Sequence, residues 1–138
     1  MPTTRGNRKN SVTVQYAVPR RGAPSAAFLR RWAIAPVTLR IVGEAEGRRL
    51  NRTFRKKRHA TNVLTFHTGD VVLCHPVIKR EARAQGKTLG AHYAHLVVHG
   101  CLHLRGYDHE KKRDAARMEA REIRILKRGG LPNPYTVE

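Results

Sequence analysis

The segment from residue 88 to residue 104 constrains the fold more than any other part of this sequence. Its apolar residues recur with the period of an α-helix over a longer stretch than elsewhere in the chain, and Gly106 follows as a helix stop. We therefore predict a long apolar helix here, packed with the other helices of the chain on a sheet.

The remaining elements follow from the same patterns. Alternating, β-branched segments predict strands at residues 12–18, 37–42, 61–66 and 70–74, the last two as a hairpin. Helical patterns with capping signals predict helices at residues 25–32, 44–52, 76–85 and 110–128. In the last of these the candidate core contacts are Ala116, Met118, Ile123, Ile125 and Leu126.

The order of these elements predicts the fold class. Strands come first and helices later without regular alternation, which favours an α+β single domain with a four-stranded mixed sheet and helices packed on it. At 138 residues the chain has the size of one domain, which we expect to span residues 11–138. Residues 1–10 lack apolar periodicity and predict a basic disordered tail.

The charge balance restricts the function. The chain has 28 Lys and Arg against 10 Asp and Glu, a formal charge of +18, which predicts a polyanionic partner. No acid precedes Glu44, and seven bases lie between Arg48 and Arg58. A solvated basic surface without a specific partner remains the alternative. No run of 18 apolar residues and no secretory signal occur, so we expect a cytoplasmic location and no membrane partner.

The cysteines do not suggest a disulfide framework. Cys74 and Cys101 each lie in an apolar run, which is typical of a buried free thiol.

Histidines carry the strongest chemical signal. Five of the eight histidines lie between His92 and His109, and those at 92, 95, 99 and 103 share one face of the predicted helix. Residues four apart can converge on one metal ion. Gly106 can reverse the chain and carry His109 toward His103, which predicts His99, His103 and His109 as ligands.

Three neutral imidazoles leave one tetrahedral position for water, the arrangement of catalytic zinc, although they do not separate zinc from nickel. Such an ion lowers the pKa of bound water to near neutrality. The alternative is a pair of satisfied core histidines. We assign His92 and His95 mainly to packing and hydrogen bonding, and Asp70 and Asp108 either to orienting a ligand imidazole or to capping turns.

The residue after His99 separates two classes of metalloenzyme. Zinc proteases carry Glu directly after the first helical ligand, whereas Gly100 stands here. A phosphodiester in a negative transition state is stabilised by Arg and metal, and a peptide substrate does not require a charge of +18. RNA hydrolysis is therefore favoured over proteolysis.

With these residues identified, the chain resembles the YbeY family of bacterial endoribonucleases. The pattern His-Gly-x-Leu-His-Leu-x-Gly-Tyr-Asp-His runs without a mismatch from His99 to His109. Residues 50–55, 61–66 and 69–74 are also similar to the family's segments. The resemblance implies His99, His103 and His109 as metal ligands and Arg55 as a functional arginine. The alternative for Arg55 is a surface salt bridge.

The resemblance also implies a biological role: maturation of the 16S ribosomal RNA 3′ end and ribosome quality control. The implied partners are the small ribosomal subunit, an Era-type GTPase and a small-subunit ribosomal protein. We therefore predict a zinc-dependent, single-strand-specific endoribonuclease with catalytic residues Arg55, His99, His103 and His109. Two alternatives stay open: attack by the RNA 2′-hydroxyl rather than water, and a non-catalytic RNA- or ribosome-binding assembly factor with a structural metal.

Overall fold

A computed structural model describes residues 11–34, 36–107 and 111–136. The predicted tail at residues 1–10 and the candidate residues Asp108 and His109 lie outside this part of the chain. The strands are β1 (Val12–Tyr16), β2 (Val37–Val42), β3 (Val63–Phe66) and β4 (Asp70–Cys74). The helices are α1 (Ala26–Trp32), α2 (Glu44–Arg55), α3 (His75–Gln85), α4 (Leu89–Leu104) and α5 (Lys112–Arg128).

The four strands form one mixed sheet in the order β1-β2-β4-β3. Strands β1, β2 and β4 run parallel, with Leu39 of β2 opposite Val71 of β4. Strand β3 pairs antiparallel with β4, and the predicted hairpin turns at Gly69, whose φ is +99°. The predicted α+β domain with a four-stranded mixed sheet is confirmed.

The two faces of the sheet carry different helices because successive side chains of a strand point to opposite faces. One face contributes Leu39, Ile41, Val71 and Leu73 to the main core, together with α4. The other face packs Val42, Leu64, Val72 and Cys74 against α2 and its neighbourhood. Helix α4 is therefore the covered central helix, as its apolar sequence predicts.

Helix α4 approaches the sheet closely at Gly100. A Cβ atom at this position would lie 2.8 Å from Cγ1 of Val71, closer than real Cβ contacts. Glycine is thus required by the distance between the helix and strand β4. The position after His99 faces the sheet, where the general-base Glu of a zinc protease would not fit.

Some sequence predictions need correction. Helix α2 extends to Arg55 rather than stopping at residue 52, and it ends on Lys56, which has a left-handed φ of 57°. The buried residues of α5 are Met118, Glu122 and Leu126, whereas Ala116 is exposed, so that core contact was wrong. Cys74 and Cys101 are both buried, as predicted. No helix in the described ranges is long and apolar enough to cross a membrane.

Candidate metal centre

A row of four histidines runs along one flank of α4, beside the side on which Gly100 packs against the sheet. The ring centroids of neighbouring pairs lie 6.4 Å apart for His92 and His95, 6.2 Å for His95 and His99, and 4.9 Å for His99 and His103. The exposed fraction of the side chain rises from 5% at His92 to 12% at His95 and 23% at His99. The predicted shared face exists, and it opens toward solvent at the C-terminal end of the helix.

Glu122 of α5 reaches this row from the neighbouring helix. Its side chain is completely buried. Oε2 lies 2.5 Å from Nδ1 of His99, and Oε1 lies 3.0 Å from Nε2 of His95 and accepts a hydrogen bond from the hydroxyl of Tyr135. The sequence analysis missed this residue as a contributor to the site.

The hydrogen bonds keep Glu122 ionised. Burial by itself raises the pKa of this carboxyl, but the hydrogen bonds from His95, His99 and Tyr135 outweigh burial and lower the pKa to about 2. An ionised carboxylate only accepts hydrogen bonds, so the proton of His99 lies on Nδ1 and that of His95 on Nε2. In neutral His99 the lone pair is consequently on Nε2, at the opposite side of the ring from Glu122.

Two sets of side chains have the chemistry of a transition-metal site. The first is His95, His99 and Glu122, whose nearest ligand atoms lie within 4.8 Å of one another. The second is His103 and Nε2 of His99, with Glu122 accepting a hydrogen bond from Nδ1 on the other side of the His99 ring. Imidazole and carboxylate ligands suit zinc and related divalent ions, so a divalent metal is compatible with this end of α4.

The distances distinguish the two sets. Ligand atoms at zinc's usual bond lengths of about 2.0–2.1 Å in tetrahedral geometry lie roughly 3.3 Å apart. The 2.5 Å and 3.0 Å separations from Glu122 to His99 and His95 are instead hydrogen-bond lengths. Two imidazoles on one tetrahedral zinc have ring centres roughly 5 Å apart, which matches the 4.9 Å between His99 and His103. The geometry favours Glu122 as the residue that orients His99.

The chain reverses directly after His103, as the sequence predicts. Gly106 has a φ of +98°, its backbone N–H bonds to the carbonyl of His103, and the N–H of Tyr107 bonds to the carbonyl of Leu102 at 3.1 Å. This paired closure ends the helix and changes the direction of the chain at Gly106. The structure thus brings His99 and His103 together at the reversal, while the third predicted ligand, His109, lies just beyond the described residues.

The other sequence candidates have varied positions. Arg55 is exposed in the last turn of α2, on the sheet face opposite α4, so the structure does not place it beside His99 and His103. Asp70 accepts a hydrogen bond from the hydroxyl of Thr68 at 2.5 Å, which is the predicted turn-capping role.

His92 and His95 have the predicted hydrogen-bonding roles. Nε2 of His92 lies 2.8 Å from Oε1 of Glu81, and Nε2 of His95 contacts Glu122. Burial lowers the pKa of His92, although Glu81 opposes the shift. Both residues thereby tie α4 to its neighbouring helices, His92 to α3 and His95 to α5.

The segment after α5 covers the middle of the histidine row. The ring of Tyr135 meets that of His95 edge-on with centroids 5.2 Å apart, and its hydroxyl donates to Glu122. Lys87 holds this segment by donating from Nζ to the carbonyl of Pro134 at 2.8 Å. Burial and the contact with Glu122 raise the pKa of Tyr135, so its hydroxyl remains a donor.

A surface cavity of about 260 Å³ lies beyond the C-terminal end of α4. Its lining includes the bases Arg105 and Arg117, the aromatic ring of Tyr107 and the acid Asp114, whose Oδ1 lies 3.9 Å from Nη1 of Arg117. Two guanidinium groups beside an aromatic ring suit a phosphate and its attached nucleotide. Arg105 in this lining follows His103 by two residues along the chain.

Comparison with known proteins points to one family. The family model described as Endoribonuclease YbeY matches residues 25–130. A protein named Endoribonuclease YbeY from Aromatoleum aromaticum is 50% identical over 149 residues, covering 96% of this chain and 97% of that protein. Its namesake from Thiobacillus denitrificans is 50% identical over 139 residues, covering 90% of this chain and 95% of its own.

A solved structure shares the fold. The solution structure of TM1509 from Thermotoga maritima matches with a TM-score of 0.50 at 22% identity, covering 86% of this chain and 91% of that one. This likeness supports the α+β architecture alone. Because the family model covers most of the sequence and relatives at half identity cover nearly all of it, the chain belongs to the YbeY family of endoribonucleases.

Proposed function

We propose that this chain is a zinc-dependent endoribonuclease that cuts single-stranded ribosomal RNA, with His99, His103 and His109 as the metal ligands. The observation that carries the proposal is the contact between Nδ1 of His99 and the buried Glu122. It fixes the tautomer and the ring orientation that a ligand histidine needs, as carboxylates do behind many metal-bound imidazoles. The 4.9 Å separation of the rings of His99 and His103 supports the same ligand pair.

The residues of the chain have separate tasks in this proposal. Glu122 holds His99, and the close packing of Gly100 on Val71 holds α4 at a fixed distance from the sheet. Arg105 and Arg117 at the adjacent cavity would bind RNA phosphates. When bound, the metal supplies a Lewis acid and lowers the pKa of water. We assign Arg55 a phosphate-binding role and leave the general base unassigned.

The proposed substrate is single-stranded ribosomal RNA, at the 3′ end of the 16S molecule. The net charge of +18 supports a polyanionic substrate, and the family relationship supports RNA. The small ribosomal subunit, an Era-type GTPase and a small-subunit ribosomal protein are proposed partners, and a role in ribosome quality control in the cytoplasm is proposed with them. These assignments rest on the resemblance.

The test is RNA cleavage by protein purified without a histidine tag. We expect cleavage that stops with a chelator and returns with zinc, and loss of cleavage in His103→Ala with the fold retained by circular dichroism. Parent protein that binds RNA without cutting it, and unfolds when the metal is removed, would contradict the proposal and favour an assembly factor with a structural metal.

The ends of the products separate two chemistries. A 2′,3′-cyclic phosphate identifies the RNA 2′-hydroxyl as the nucleophile, with the metal as Lewis acid. Simple hydrolysed ends identify water. End-group analysis of one short labelled RNA therefore decides between the two alternatives that the sequence leaves open.

A further inference from the structure

Phe54 is an exposed aromatic residue that the fold does not need for its core. It is 58% exposed, the most exposed large hydrophobic side chain in residues 11–34, 36–107 and 111–136. It continues the inward-facing row of α2, which includes Gly47 and Asn51, and lies in the last turn of the helix. Its ring packs edge-to-face on Phe66 of the edge strand β3, with 5.2 Å between the centroids.

The surroundings of Phe54 are strongly basic. Seven exposed bases flank it in sequence, namely Arg48, Arg49, Arg52, Arg55, Lys56, Lys57 and Arg58. The acids of the same helix are engaged elsewhere, since Glu44 pairs with Arg80 and Glu46 with Arg40. The positive charge around the ring is therefore available for an anionic partner.

The loop after Phe54 is held in place. The buried side chain of Asn51 donates from Nδ2 to the carbonyl of His59 at 2.6 Å, which closes the loop onto the helix. Lys56 takes the left-handed conformation that ends the helix, and its N–H bonds to the carbonyl of Arg52. The loop that carries Lys57 and Arg58 is thus held against the helix end before a ligand binds, which lowers the entropy cost of binding.

We propose that Phe54 is a stacking platform for a base of single-stranded RNA, with the surrounding Arg and Lys residues binding the flanking phosphates. An aromatic face inside a basic patch is the combination that binds single strands, because every base has a π-face and every nucleotide a charge. A lipid surface would require several apolar side chains in one patch. The inference rests on the proposed function, for which it supplies a substrate contact.

Phe54 and helix α4 both contact β3, the edge strand of the sheet. Phe54 lies over β3 from the α2 side, through its contact with Phe66. Helix α4 passes under β3 from the other side, where a Cβ on Gly100 would lie 3.4 Å from the hydroxyl of Thr65. A strand of RNA that stacks on Phe54 would therefore be held at the sheet edge next to which α4 runs.

The test measures binding of two oligonucleotides to Phe54→Leu and Phe54→Trp. One is a 2′-O-methyl oligouridine, checked by gel to stay intact, and the other has abasic residues in its centre. Stacking of one base is worth about 1–3 kcal/mol, so we expect Phe54→Leu to bind the base-bearing oligonucleotide roughly 5- to 150-fold more weakly. The parent and Phe54→Leu should bind the abasic oligonucleotide with equal affinity. Phe54→Trp should bind both oligonucleotides like the parent.

Two further readouts sharpen the result. Trp32 is the chain's only tryptophan and is buried, so Phe54→Trp adds an exposed emitter that a stacked base should quench. Arg52→Gln is the matched phosphate variant. It should weaken the binding of both oligonucleotides equally and reduce the salt dependence of the affinity. Phe54→Leu should leave that salt dependence unchanged.

Equal binding of parent and Phe54→Leu to the base-bearing oligonucleotide would overturn the inference. So would an equal loss on the abasic oligonucleotide, which would leave the patch as a surface for acidic proteins or polyanions in general. Cleavage assays keep this failure distinct from that of the proposed function. If the parent cuts RNA and Phe54→Leu binds it with unchanged affinity, only the platform is refuted. If the parent neither binds nor cuts RNA, the proposed function itself is refuted.

Discussion

Replacing Glu122 with Gln tests the organisation of the metal centre most sharply. The carboxylate is fully buried and accepts from Nε2 of His95, Nδ1 of His99 and the hydroxyl of Tyr135. Glutamine keeps the shape but has one acceptor oxygen and an amide donor. The amide NH2 must then face one of the three donors, or the facing imidazole must move its proton to its other nitrogen and lose the tautomer that Glu122 sets.

The expected loss follows from these contacts. A hydrogen bond to a charged group contributes about 1.5–3 kcal/mol, and a buried donor without an acceptor costs about 1–3 kcal/mol. Relief from burying the charge offsets part of this loss. We expect a net loss of about 2–4 kcal/mol in the free energy of unfolding of metal-free protein, or roughly 8–15 °C in Tm for a domain of this size.

The same substitution should weaken zinc binding. Removing the partner that orients a ligand histidine usually costs about 10- to 100-fold in metal affinity. The assay is urea unfolding with and without zinc, together with competition against a chelator of known affinity. Glu119→Gln, at an exposed position of the same helix, is the matched control and should behave like the parent. Parent-like stability and zinc affinity in Glu122→Gln would refute the reasoning.

Three further predictions concern residues outside this cluster. Burial and nearby Lys79 lower the pKa of His75, whose Nδ1 lies 2.7 Å from the buried hydroxyl of Tyr93. At acidic pH the unfolded chain therefore binds more protons than the folded chain. The free energy of unfolding should consequently fall as the pH drops below about 6.5. His75→Gln should reduce this loss of stability between pH 7 and pH 5 in urea titrations; an unchanged dependence on pH would contradict the prediction. Gly100→Ala should lower the free energy of unfolding by about 1–3 kcal/mol because the added methyl group overpacks the core. Gly90→Ala is the control: its methyl group would meet only the tip of the Phe28 ring at 3.3 Å, so it should leave the free energy of unfolding nearly unchanged. Arg55→Ala should reduce kcat/KM for RNA roughly 10- to 100-fold, and its Tm should be unchanged because Arg55 is exposed. Arg55→Lys should restore only part of the lost activity. Full activity in Arg55→Ala would exclude a role of Arg55 in catalysis.

The sequence predicted the elements well because each rests on a local pattern. Ser25 and Thr88 cap α1 and α4 as polar N-caps do, and Gly86 ends α3 at a φ of +68°. The strands lie close to their predicted positions because each is a short run rich in β-formers between turn residues, although β1 ends at Tyr16 and β3 begins at Val63. The histidine face of α4 followed from helical geometry alone.

Tertiary contacts explain what the sequence analysis missed. An acid in a basic amphipathic helix is normally expected to be solvated, yet Glu122 lies on the buried row between Met118 and Leu126. Its spacing of four residues from each of these was the available signal, and only the histidines on α4 explain it. The contact of Tyr135 with His95 had no local signal, because the segment around it is not periodic.

The central claim concerns which side chains hold the metal, and zinc stoichiometry measures this directly. Protein without a histidine tag is desalted, and bound zinc per chain is determined by mass spectrometry for the parent, His95→Ala, His103→Ala and His109→Ala. We predict about one zinc in the parent and in His95→Ala and a loss of zinc in the other two, each with its fold confirmed. Zinc lost from His95→Ala but retained by His103→Ala and His109→Ala would contradict the account and assign the metal to the cluster of His95, His99 and Glu122.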